Sequence, residues 1–217
     1  RARIMLPGVA VHIIQRGNDR ADCFFSDDDR AFYLFHLGKI LPRVRCRLHA
    51  YCLMTNHVHL LVTSEEEQGC AKLMKGIGQL YSQYANKRYG KCGHLWEGRF
   101  KSCLVQSEHY VLTRYRYIEL NPVRARLALG PDEYPWSSYS ANAKGELVAL
   151  LSPHEEYERL GRTPSERQAA YRDLFGQLRA PELDEIRLAT NGGYALGNAA
   201  FRHLIARGLG RPVKRGS

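Results

Sequence analysis

The tightest constraint on the fold is a pair of strand-like runs set too close together to be anything but a hairpin. Cys46 to Met54 and His57-Val58-His59-Leu60-Leu61-Val62 are separated only by Thr55-Asn56, a link that folds the second run back antiparallel to the first. Side chains at i and i+2 share one face of a strand. His57 and His59 therefore stand together while Val58, Leu60 and Val62 pack the opposite way. The same alternation places Cys46, Leu48, Ala50, Cys52 and Met54 on one face of the preceding strand.

The rest of the N-terminal half supplies partners for this hairpin. Val9 to Gln15 alternates, with Val9, Val11 and Ile13 on one side and His12 and Ile14 on the other, and stops at the polar turn Arg16-Gly17-Asn18-Asp19. Ser26-Asp27-Asp28-Asp29 is a helix start, followed by Ala31, Leu34, Leu37 and Leu41 at helical spacing and a stop at Pro42. Glu65-Glu66-Glu67 opens a second helix with the stripe Leu73, Ile77, Leu80 and Tyr84. After the glycine-rich turn 89–93, Arg99 to Val105 reads as a fourth strand. The order β-α-β-β-α-β defines an α+β, ferredoxin-like sandwich with an antiparallel sheet. A further helix runs from about Glu108 through Tyr110, Leu112, Tyr115, Tyr117 and Ile118 to Asn121-Pro122, where proline disfavours continuation.

Residues 1–150 are expected to form this domain, with Trp136-Ser137-Ser138-Tyr139 packing back on its core. Residues 151–165, with Ser152-Pro153 and Gly161 to Ser165, read as a linker, and 166–217 as a small helical module. Three helices are expected there, over 166–178, 182–190 and 196–208. A glycine turn at Gly192-Gly193 allows either a helix-turn-helix-like arrangement or a helical cap on the first domain.

Composition narrows the partners. A formal net charge of +10 and a pI near 9.4 over 217 residues point to a polyanion, nucleic acid or an anionic membrane surface. No run approaches the ~20 apolar residues of a membrane span and no secretory apolar segment opens the chain, so a cytoplasmic protein with no membrane partner is expected. The chain opens without an initiator methionine, so residues can precede Arg1. Six cysteines without a Cys-x-x-Cys pair fit free thiols better than disulfides or a zinc knuckle. Lys72, Lys75, Lys87, Arg88, Lys91, Arg99 and Lys101 are interleaved with Tyr81, Tyr84, Tyr89 and Trp96, which suits charge neutralisation and base stacking on a single strand. Trp96 fits a core anchor equally well. Arg16 and Asn18 can hydrogen-bond bases or phosphates.

Two imidazoles on one strand face suit a divalent cation but leave its shell incomplete. The last helix of the first domain offers Tyr117 and Asn121 four residues apart on one face. Asn121 can give a carbonyl oxygen to a hard cation and Tyr117 a phenolic nucleophile. Such a set suits phosphodiester cleavage through a covalent phosphotyrosine.

Four motifs in register carry a resemblance: Arg16-Gly17-Asn18, Asn56-His57-Val58-His59-Leu60-Leu61, Gly93-His94-Leu95-Trp96-Glu97-Gly98-Arg99-Phe100-Lys101-Ser102, and Arg116-Tyr117-Ile118-Glu119-Leu120-Asn121-Pro122-Val123-Arg124-Ala125. Their order resembles that of REP-associated tyrosine transposases, members of the HUH single-strand nucleases, over roughly residues 6–140. The resemblance implies a ferredoxin-like core with Mg²⁺ or Mn²⁺ held by His57, His59 and Asn121. It further implies that Tyr117 becomes linked to a 5′ phosphate beside a hairpin such as a repetitive extragenic palindrome. The DNA-contacting set is then Arg16, Asn18, Lys72, Lys75, Lys87, Arg88, Trp96, Arg99 and Lys101. A non-catalytic DNA-binding regulator using the same basic groove is the alternative. A hydrolytic metalloenzyme would want more acidic or histidine ligands near His59, where Thr63-Ser64 follow instead. Monomer and homodimer both remain open.

Overall fold

In the computed structural model, residues 5–106, 109–177 and 195–209 are described. Strand β1 (Ala10–Arg16), helix α1 (Asp27–Ile40), strands β2 (Cys46–Leu53) and β3 (His57–Ser64), helix α2 (Gly69–Tyr89) and strand β4 (Lys101–Val105) follow in the expected order. The strands form one antiparallel sheet ordered β2-β3-β1-β4. The histidine strand is therefore central, flanked by β2 and β1.

Each face of the sheet carries its own core. Val11, Ile13, Val58, Leu60, Val62 and Leu104 meet the side chains of α1 and α2 on one side. Ala10, Leu61, Cys103 and Val105 meet helix α3 (His109–Glu119) on the other. The alternation expected for β1 and β3 holds, but that of β2 does not. The register shifts between Leu48 and Ala50, a bulge that absorbs His49 and inverts the faces beyond it. Cys46, Leu48, Tyr51 and Leu53 face α1 and α2, whereas Ala50, Cys52 and Met54 face α3.

Both long helices keep part of the stripe expected of them, with Leu37 and Leu41 at the first and Leu73 and Ile77 in the second buried. In α1 Tyr33 is buried as well, and Ala31 is exposed. In α2, which starts at Gly69 after the acidic run, Tyr81 and Ala85 are buried in place of Leu80 and Tyr84. Ser26 caps α1 in a reciprocal box with Asp29. The buried Asp29 carboxylate also accepts from the hydroxyls of Tyr84 and Tyr89, at 3.1 and 2.8 Å, which ties α2 to the start of α1.

Beyond α3 come α4 (Asn121–Arg124), α5 (Tyr139–Lys144), α6 (Glu155–Glu158), α7 (Pro164–Asp173) and α8 (Ala199–Leu209). The span 151–165 is packed against the first domain. Leu151 bridges to Leu48, His154 and Tyr157 are buried, and the His154 amide donates to the Tyr115 hydroxyl at 3.1 Å. Leu196 pairs with the edge of β4, and Ile205 of α8 reaches the α1/α2 core. The helix expected over 182–190 and its glycine turn lie outside the described residues. All six cysteines are free, and no helix among the described residues is long and apolar enough to cross a membrane.

Candidate active site

The face of the sheet under α3 gathers three histidines and a tyrosine. His57 and His59 of β3 stand edge to face with ring centroids 4.9 Å apart. His12 of β1 lies parallel to His59 at 5.1 Å, its Nε2 2.9 Å from His59 Nδ1. Tyr117 of α3 sets its ring edge-on to both, 5.9 Å from His59 and 5.8 Å from His12. The structure thus brings the two segments together: His57 and His59 from the hairpin, Tyr117 from the last helix of the fold. His12 has no place in the set expected from sequence, although it was legible as a lone polar residue inside the apolar run Val11 to Ile14.

Polar surroundings fix the imidazoles. The Asn56 side chain donates its Nδ2 to the Arg20 carbonyl at 3.0 Å, so its Oδ1, 2.6 Å from His57 Nδ1, can only accept. His57 therefore carries its proton on Nδ1 and keeps a bare Nε2. His59 is buried, and its Nε2 meets no hydrogen-bond partner. Burial, then Arg16, pushes the His57 pKa down to about 4. Burial first, and neighbouring His57, His12 and Arg124 after it, hold His59 well below its usual value. Both are neutral at pH 7, the form that binds metal.

Helix α3 ends at Glu119, and Pro122 sits at the start of α4. Across this break the Asn121 Nδ2 donates to the carbonyls of Tyr117 and Ile118 at 2.9 and 3.2 Å. With Nδ2 so engaged, Oδ1 is the acceptor end of the amide. Arg124 donates to the Tyr117 carbonyl at 2.8 Å and lays its guanidinium 4.1 Å from the centre of the phenol ring. Arg114, one turn before Tyr117, stands 5.5 Å from the same ring. Arg114 is fully buried and donates to Cys103 Sγ at 3.4 Å. Among the described residues no group of three or more His, Cys, Asp or Glu side chains could hold a metal. A cation here would have to rely on the histidine pair and an amide or phenol oxygen. The orphaned lone pair of His59 fits that role.

The competing tyrosines are separated by their contacts. Tyr115 is fully buried between Tyr157 and Tyr171, on the far side of α3 from the histidines. A single carboxyl group near the end of α3 holds the helix in position. Glu119 is buried and accepts from Ser138 Oγ, Asn142 Nδ2 and Tyr171 Oη at 2.6, 2.7 and 2.6 Å. One carboxylate thereby joins α3 to α5 and α7. Burial raises its pKa to about 7 against the lowering effect of these hydrogen bonds.

The expected DNA-contacting residues divide into groups. Asn18, Lys75, Trp96 and Arg99 line one cleft of about 560 Å³, between α2, the end of β1 and the loop 93–100. Gln15 lies at its floor, buried, with an Oε1 that meets no partner. Trp96 is 8% exposed and donates its indole N–H to the Gly78 carbonyl at 3.1 Å, so it is a core anchor with one edge on the cleft. Arg16 pairs with His57 across the β1–β3 ladder. Lys101 opens β4, opposite Ile14. Lys72 and Arg88 are engaged with Glu66 and Asp28, both at 2.9 Å, and Lys87 shares the last turn of α2 with Arg88. Of the interleaved tyrosines, Tyr84 and Tyr89 are half-buried. Tyr81 is buried with its hydroxyl on the Cys23 carbonyl, and the other two bind Asp29. Gly17 closes the turn between β1 and the cleft because a Cβ there would strike the Ala21 carbonyl oxygen.

Fold and site together define a ferredoxin-like α+β protein with a histidine pair facing a helix-borne tyrosine. A family model described as IS200-like transposase matches residues 6–121, and the chain belongs to that family of DNA-processing transposases. Among solved structures, a REP-associated tyrosine transposase bound to a REP hairpin aligns with a TM-score of 0.57 and 14% identity, over 72% of this chain and 92% of that one. A proposed transposase from Deinococcus radiodurans R1 aligns over 58% of this chain and 91% of that one, at 16% identity and a TM-score of 0.38, and no argument rests on it. No curated protein matches the sequence.

Proposed function

We propose that this chain is a divalent-metal-dependent endonuclease and strand transferase for single-stranded DNA, acting beside hairpins such as repetitive extragenic palindromes. The observation that carries the reading is the buried, unpartnered Nε2 of His59 beside the Tyr117 ring. Tyr117 Oη attacks the scissile phosphorus, the P–O3′ bond breaks, and the products are a 5′-phosphotyrosine and a free 3′ hydroxyl. The phosphate bond energy is kept in the phosphotyrosine for rejoining. Arg124, whose guanidinium lies over the phenol ring, offsets charge as the phosphate meets it. His57 and His59 through Nε2, and Asn121 through Oδ1, would hold Mg²⁺ or Mn²⁺. That ion supplies polarisation of a phosphate oxygen and orientation of the scissile bond. The cleft floored by Gln15, with Lys75 and Arg99 on its lining, suits an unpaired nucleotide of the bound strand.

The hairpin-bound neighbour supports the choice of DNA, and the family supports the chemistry. Tyr117 is only 6% exposed, which favours a second reading, a DNA-binding regulator that does not cut. Incubation with hairpin DNA and Mn²⁺, followed by a denaturing gel, separates the two. An adduct that vanishes in Tyr117→Phe supports the transferase. Hairpin binding without any adduct across a substrate panel supports the regulator.

A further inference from the structure

Resting on the metal-binding role just proposed for His59, we infer that His12 is a positioning residue that selects the metal-competent tautomer of His59. Its Nε2 accepts the His59 Nδ1–H across 2.9 Å, and His59 Nε2 is thereby left as a bare lone pair. The hydrogen bond could in principle run either way. Were His12 the donor, His59 would carry its proton on Nε2, the buried atom that meets no acceptor, and no cation could relieve it. With His59 as donor, a cation satisfies the orphaned lone pair.

His57 shows the same device by independent means, since Asn56 Oδ1 can only accept from its Nδ1. Both imidazoles then present Nε2, each with its other nitrogen anchored, the arrangement that orients histidine ligands in metal sites. Packing alone does not call for His12. It is fully buried, directly opposite Leu61 in the β1–β3 ladder, where an aliphatic side chain would fill the space without burying two polar nitrogens.

The test uses the full chain and two variants. His12→Phe keeps a ring but removes the acceptor, and His12→Gln restores an acceptor at similar reach. In metal-free wild type, ¹H–¹⁵N spectra of the imidazole nitrogens are expected to show His59 protonated on Nδ1. In His12→Phe the proton spreads to Nε2, and Mn²⁺ affinity measured by calorimetry falls by about 10- to 100-fold. His12→Gln recovers most of that loss, and metal-free hairpin binding is unchanged in both variants. A wild-type His59 protonated on Nε2 overturns the inference, and so does wild-type Mn²⁺ affinity in His12→Phe. The wild-type spectrum decides even if His12→Phe fails to fold. Absence of Mn²⁺ binding by wild type, together with an Nδ1–H tautomer, upholds the role of His12 in the tautomer and removes the metal reading instead.

Discussion

Replacing Tyr171 by Phe tests how the helix that carries Tyr117 is held. Tyr171 on α7 is fully buried and its hydroxyl donates to Glu119 Oε2 at 2.6 Å, two residues beyond Tyr117. The substitution deletes one donor to a buried carboxyl group and leaves ring packing against Tyr115 and Tyr157 in place. A hydrogen bond to a charged group contributes about 1.5–3 kcal/mol, and one to a neutral group about 0.5–1.5 kcal/mol. Glu119 titrates near 7 in the fold, so the larger loss is expected at pH 8.5 and the smaller at pH 5.5. At roughly 2–4 °C per kcal/mol for a chain of this size, the Tm should drop by about 3–12 °C at the higher pH and by about 1–6 °C at the lower. Paired thermal melts of wild type and variant at the two pH values read this directly. Equal drops at both pH values, or none, would refute the idea that α7 anchors α3 through an ionised Glu119.

Other perturbations address the remaining parts. Gly78→Leu on α2 should fill the cleft beside Gln15 and Trp96 and weaken hairpin binding about tenfold by anisotropy, roughly the 1–3 kcal/mol of one stacked base, with the Tm held or raised. Undiminished affinity would remove the cleft from the DNA path. Asn56→Ala frees His57 Nδ1 and should lower Mn²⁺ affinity by about 10- to 100-fold, which calorimetry would register. His49, held between Ser152 and Thr63, has its pKa pushed down to about 4 by burial. The unfolded chain takes up its proton near 6.5 and the fold only near 4, so stability is lost as pH falls through that window, by at most roughly 3 kcal/mol. Urea titrations of His49→Gln should show a shallower acid slope than wild type.

The hairpin link and the β-α-β-β-α-β order were legible because each rests on period or on chain connectivity, and the meeting of His57 and His59 with Tyr117 because four motifs stand in the order of the family the chain resembles. The bulge at His49 was not. One inserted residue flips the later half of β2, yet the apolar residues on either side still satisfy the alternation. The stripe of α2 was legible at Leu73 and Ile77 but not at its far end, where Tyr81 buries its ring and sends its hydroxyl to the Cys23 carbonyl, which spacing cannot distinguish from an exposed aromatic. Arg114 and Arg124 stood in the sequence as ordinary basic residues, and only the break before Pro122 brings Arg124 over the phenol. His12 was missed because its partner lies on another strand, 47 residues away.

The central claim is that Tyr117, and no other tyrosine, becomes joined to DNA. Tryptic digestion of a hairpin-DNA adduct, followed by mass spectrometry, discriminates the candidates because cleavage at Arg114, Arg116 and Arg124 puts Tyr110, Tyr115 and Tyr117 on separate peptides. A phosphonucleotide on the peptide from Tyr117 to Arg124 is the expected result; one on the peptide carrying Tyr110 or Tyr115 would contradict the assignment.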